Sequence, residues 1–141
     1  MNTFRVTLTA NELAELNHRF PSSRGSGDIG KRAVEIVKYH FKKQNPGCRF
    51  VDPPNGGDLA VLMVAATVPN VFEIKGTAEH DIAWQQLKVS SQSSYDLLKS
   101  GSVAVLRVTD VFGQEPVVHE LHYGKDFRLE PEARWTFKRI R

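Results

Sequence analysis

Glu73 and Lys75 lie two positions apart inside the otherwise apolar stretch NVFEIKGT (70–77). Asp58 opens the preceding apolar run, DLAVLMVA (58–65), directly after a PPNGG turn. In a β-strand, side chains alternate, so Glu73 and Lys75 share a face with Val71 while Phe72 and Ile74 take the other. Two carboxylates on adjacent strands make a hard-oxygen site suited to Mg²⁺ or Mn²⁺; for Mg²⁺, one or two protein carboxylates suffice beside water and phosphate oxygens. An ion held there would polarise a phosphodiester and acidify an attacking water. Lys75 would orient that water or stabilise charge developing on the phosphate. Isolated charges are costly to bury, but a cation and a polyanion make the three a coherent set. The plain alternative is a cross-strand surface pair. The register between the two strands decides whether Asp58 and Glu73 meet. A turn centred on TVPN (67–70) pairs Asp58 near Thr77, whereas a bulge or a tighter turn near 65–66 pairs it with Glu73.

The elements that must position these residues follow from periodicity. FRVTL (4–8) alternates as a short strand, and Thr9 opens a capping box with Glu12 that starts a helix carrying Leu13 and Leu16. PSSRGSGDIG (21–30) has the composition of a loop. From Ile29 to about Gln44 the spacing predicts a helix, with Ala33, Val34, Ile36, Val37 and Phe41 on one side and Lys31, Lys38 and Lys42 on the other. Strands follow at 48–52, 58–65 and 71–75, the last two as an antiparallel hairpin. A second helix spans 90–101 and stops at Gly101. Strands at 103–111 and 117–123 complete the pattern. The order is βα–αβββ–αββ, an α/β or α+β architecture with a mixed central sheet flanked by helices. One compact domain is expected, with residues 1–28 as a strand–helix extension and loop on a 29–141 body.

With 141 residues, 40% hydrophobic and 25% charged, the composition is that of an ordinary soluble domain. No apolar run is long enough to span a bilayer, no secretory signal is evident, and the single cysteine, Cys48, excludes an internal disulfide. A cytoplasmic location and no membrane partner are the expectation. The net charge of +3 is unevenly spread. Residues 31–43 hold five Lys/Arg and one Glu, and the tail RWTFKRIR (134–141) holds four basic residues and no acid. Lys31, Arg32, Lys38, Lys42, Arg134, Lys138 and Arg139 are therefore candidates for gripping a nucleic-acid backbone, with Trp135 or Phe137 stacking on a base; solvated faces are the alternative. GSGDIGKR (25–32) matches a phosphate-loop string, but Arg32 stands where a Mg²⁺-holding Ser or Thr belongs, and no strand precedes it. His119 and His122, three apart on a strand, point to opposite faces and make no metal pair.

GGDLAVL…VFEIKGT resembles the PD-(D/E)xK nucleases of the restriction-endonuclease-like fold, with the expected helix before and after it. EIKGT followed by LKVSSQSSYDLLKSGSVAVLRVTDV is similar to the nuclease-like domain at the C-terminus of NO VEIN-type proteins and to Mrr-like domains. The resemblance covers about residues 29–122 and implies an αβββαβ core with an N-terminal strand–helix extension. It also implies Asp58 and Glu73 as metal-binding acids, Lys75 as the catalytic lysine and Gln92 as an accessory polar residue. Gly57 stands where the motif's proline would be, and Val34 aligns where relatives often carry a glutamate. The expected function is Mg²⁺- or Mn²⁺-dependent phosphodiester hydrolysis, with DNA as partner and a homodimer as one way to cut both strands. A non-catalytic nucleic-acid-binding domain of the same fold and a protein-interaction domain are the competing expectations.

Overall fold

The structure, a computed structural model, describes the chain except Ser23, Arg24, Arg134, Thr136 and Arg141, with only the backbone of Ser26 described. Among the described residues the elements run β1 (Asn2–Arg5), α1 (Ala10–Arg19), α2 (Ser26–Gln44), β2 (Arg49–Val51), β3 (Leu59–Leu62), β4 (Asn70–Gly76), α3 (Gln92–Lys99), β5 (Ala104–Thr109) and β6 (Val117–Leu121), with a short 3₁₀ turn at Trp84–Gln86. This is the expected element order. The strands form one six-stranded mixed sheet, ordered β1-β6-β5-β4-β3-β2. Only the central β4–β5 pair is parallel, and α3 lies between those two strands in sequence, as a parallel connection requires.

Local signals start the helices. Thr9 caps α1 by accepting the Glu12 N–H while Glu12 returns a bond to the Thr9 N–H. Ser91 caps α3 through the Ser94 N–H. Helix α2 begins at Ser26, three residues before the sequence-based start, so Gly27 and Gly30 are helical and the GSGDIG segment is not a loop. Asp28 in its first turn and Lys42 and Lys43 in its last complement the helix dipole.

The sheet separates two apolar clusters. On one face, Leu59, Val61, Phe72, Ile74, Leu106, Val108 and Val118 pack with Ala33, Ile36 and Val37 of α2 and Leu16 of α1. On the other, Val71, Val105 and Leu121 pack with Leu97 and Leu98 of α3 and with Leu87, Phe127 and Leu129. Val6 and Leu8, beyond β1, are buried in the first cluster, so the N-terminal segment is part of the same core. Helix α2 crosses β4 at Gly76. A Cβ built there would lie 2.8 Å from the Ala33 Cβ and 3.0 Å from the Ile29 carbonyl oxygen. The close approach that Gly76 permits is thus by a helix.

One strand expectation needs correction. The 58–65 run is a strand only over Leu59–Leu62. The chain turns at Met63, whose carbonyl accepts the Ala66 N–H at 3.1 Å. Ala65 takes a left-handed φ of 64°, and Val64 is 70% exposed.

Gly76→Val places a branched side chain against α2 backbone and costs about 1–3 kcal/mol by overpacking. The expected result is a lower denaturation midpoint in urea with an unchanged slope; equal stability would show that α2 does not rest on this residue.

Candidate functional site

The early turn at Met63 sets the register that brings the acids together. Leu59 pairs with Phe72, so Asp58, one residue before, stands across from Glu73. The Asp58 N–H donates to the Phe72 carbonyl at 2.9 Å. Beyond that point β3 offers no backbone acceptor, and Asp58 Oδ2 accepts the Ile74 N–H at 2.7 Å instead. Gly57 is required by the same close pairing, because a Cβ there would meet the Val71 side chain at 2.5 Å and the Phe72 carbonyl oxygen at 3.2 Å.

Asp58 is exposed and Glu73 is buried, at 5% exposure. Burial pushes the Glu73 carboxyl above its ordinary range; the neighbouring Asp58 charge adds to this and Lys75 opposes it. A like-charged pair in partial burial favours a shared proton or a cation between them. Lys75, half-buried, follows on the same face of β4 and is the register partner of Arg107 on β5. The three side chains singled out by their spacing thus occupy one region of one sheet face.

The other candidates are placed elsewhere. Gln92 is exposed at the first residue of α3 and donates to Asp96 Oδ1 at 2.9 Å along its own helix. Arg32 is a correction: it is fully buried, not a surface grip. Its guanidinium donates to the Val111 carbonyl at 2.6 Å, Asn17 Oδ1 at 2.9 Å and the Phe20 carbonyl at 3.2 Å, and lies over the Phe112 ring. Lys31 is exposed. Lys38 pairs with Glu35, and Lys38 and Lys42 both lie near the Phe50 ring; Lys42 also donates to the Cys48 carbonyl. These α2 residues belong to the helix that covers the face opposite the acids. Lys138 and Arg139 are exposed, as are Trp135 and Phe137, and Arg134 lies outside the described residues. His119 and His122 make separate contacts, with Thr3 and Thr109 and with Glu120 respectively.

Arg107 is a further residue of this region that the sequence motifs do not single out. It is 2% exposed and donates to the Ile82 carbonyl at 2.8 Å, the Gly76 carbonyl at 3.0 Å and Gln86 Oε1 at 3.2 Å. Gln86 Oε1 also accepts from Thr77 Oγ1 at 2.7 Å. Arg107 and Thr77 thereby pin the 82–86 segment over the sheet beside Lys75. The available signal was of the same kind as for Glu73: one charge inside the apolar run VAVLRV. Next to Lys75 lies a cavity of about 160 Å³ whose walls include Trp84, Leu87, Val105 and Phe127.

The donor set fits a hard divalent cation. Two converging carboxylates, one held at a disadvantage in its charged form by burial and by the other, are what Mg²⁺ takes alongside water. Among the described residues no group of three or more His, Cys, Asp or Glu forms a further candidate, and no helix is long and apolar enough to cross a membrane. Comparison with protein-family models, curated proteins and solved structures finds no match for the chain.

Because the folded pKa of Glu73 is raised, the folded state is favoured when Glu73 is protonated, and that advantage fades as pH rises through the folded pKa. Without divalent cation, Glu73→Gln is expected to raise the melting temperature relative to wild type at neutral pH. The gain should shrink toward the ordinary carboxyl value of 4.5. A difference independent of pH across that window, followed by calorimetry, would remove the like-charge contact from the description.

Proposed function

We propose that the chain is a metal-dependent nuclease that hydrolyses phosphodiester bonds in DNA, built on a restriction-endonuclease-like arrangement of the PD-(D/E)xK type. The observation that carries this reading is the convergence of Asp58 and Glu73 on one sheet face with Lys75 following on the same strand. Asp58 and Glu73 would hold Mg²⁺ or Mn²⁺. When bound, the cation would polarise the phosphodiester and acidify an attacking water. Asp58 is oriented by the Ile74 N–H, so its carboxylate is fixed before any ligand arrives. Lys75 supplies a positive charge on the substrate side of the pair, where it would orient the attacking water or stabilise the pentavalent phosphate as negative charge builds. Burial around Glu73 keeps bulk water from screening its charge.

A single site cuts one strand at a time, so a double-strand break takes a second copy of the chain or a second encounter. The α2 lysines cover the other face of the sheet, whereas Lys75, Lys88 and Arg128 line a cavity on the acids' side.

Plasmid DNA incubated with the protein is expected to be nicked with Mg²⁺ or Mn²⁺ and left intact in excess chelator. Glu73→Ala and Lys75→Ala should each lower the rate by about a hundredfold or more, the scale seen when one group stabilising transition-state charge is removed. Undiminished cleavage by both variants would assign the activity to another site. Salt-sensitive DNA binding with no turnover and no metal dependence would instead assign the chain to non-catalytic nucleic-acid binding.

A further inference from the structure

The cavity beside Lys75 has a composition that the hydrolytic site does not explain. Leu87, Val89, Leu98, Val105, Leu121 and Phe127 form its apolar walls. The charged side chains lining it are Lys75, Lys88 and Arg128, all cations. Trp84, also lining it, is 46% exposed. A bare phosphate would meet the three cations but leave the apolar walls unfilled. At about 160 Å³ the cavity is also well below the roughly 300 Å³ at which drug-sized ligands begin to fit. One planar ring with an anionic attachment suits both features. From this geometry, and resting on the nuclease reading, we propose that the cavity takes an unpaired nucleobase of the substrate strand, with the adjoining phosphates drawn to Lys75, Lys88 and Arg128. The substrate class is therefore single-stranded DNA, or a duplex from which a base is turned out.

Lys75 joins the two sites. It lines the cavity and lies two residues along β4 from Glu73 on the same face, roughly 7 Å in strand rise. A strand crossing Lys75 thus has a phosphate near the acids and a base near the apolar walls. Trp84 is placed for stacking, which tolerates any base. Lys88 and Arg128 currently pair with Glu132 and Glu130 in exposed contacts. Ion pairs this open are weak and exchange readily for phosphate. The wall itself is held by Arg107, whose bonds to Ile82 and Gln86 bracket Trp84.

The test compares an oligothymidylate with an abasic oligomer of equal length and charge. Binding is followed by Trp84 fluorescence in a Trp135→Phe background, with Ca²⁺ replacing Mg²⁺ to limit turnover. The expected result is quenching and about tenfold tighter binding of the base-bearing strand. That preference should be lost in Trp84→Ala, read by fluorescence anisotropy of labelled strands, and largely kept in Trp84→Phe. Equal affinity for the two strands overturns the base cavity even where Mg²⁺-dependent cleavage is found. A base preference in a protein that cleaves nothing supports the cavity and overturns the hydrolytic reading. Quenching by an acidic, phenylalanine-containing peptide and not by the oligothymidylate overturns the proposal in favour of a protein partner.

Discussion

The Ile74 N–H has no backbone acceptor on the β3 side, because the ladder between β3 and β4 ends at Leu59–Phe72. Left buried and unpaired, such a group costs about 1–3 kcal/mol. The Asp58 carboxylate satisfies it at 2.7 Å, and this bond determines where the first acid points. The second acid has little freedom of its own, since Glu73 is a mid-strand residue in the register that pairs β4 with β5. A backbone requirement therefore brings two carboxyls into contact, and the like-charge penalty falls on the more buried one, Glu73. Gly57 and the turn at Met63 are parts of the same constraint. Either a side chain at 57 or a later turn would move Asp58 off Ile74.

Two buried arginines on opposite sides of the sheet hold the surroundings in place. Arg32 ties the end of α1 to the segment after β5 through the Phe20 and Val111 carbonyls. Arg107 ties the end of β4 to the 82–86 segment through the Gly76 and Ile82 carbonyls. Both guanidiniums donate mainly to carbonyl oxygens, and among the described residues Arg32 Nη2 has no partner. A planar fork of five donors can bridge several chain segments this way, which a lysine cannot. Their positive charge is spent inside the molecule, so the formal excess of basic residues overstates what an external polyanion would meet.

The element order was legible because each element carries its own local cue. Thr9 and Glu12 write a capping box, Ser91 starts α3, and apolar spacing changes from helical to alternating after Asn45. The register was not legible. It depends on Ala65 adopting a left-handed conformation, which an alanine does not announce, so turns at 65–66 and at 67–70 looked equally open. Arg32 shows a different failure. It sits four residues before the buried Ile36, on the apolar side of the wheel, yet its residue type suggested a surface role. Position was the better guide. Glu73 and Lys75 stand out as charges interrupting an apolar strand, and Arg107, which anchors the neighbouring wall, carries the same signal in VAVLRV.

The acid pair also separates the two nucleic-acid readings on physical grounds. Two carboxylates facing a polyanion oppose its approach, and the low-dielectric setting of Glu73 strengthens that repulsion. A surface built only to hold DNA would gain affinity from replacing them with neutral groups. A surface that takes a divalent cation behaves in the opposite way, because the cation reverses the local sign and relieves the like-charge repulsion that adds to the burial-driven rise in the Glu73 pKa. In that case cation binding, fold stability and polyanion affinity are linked, since a ligand that binds only the folded state stabilises it by mass action. On that reading the same two residues would oppose binding when bare and favour it when a cation is present. Nucleic-acid affinity that rises with divalent cation while ordinary salt weakens it is the behaviour expected of a hydrolytic centre on this sheet.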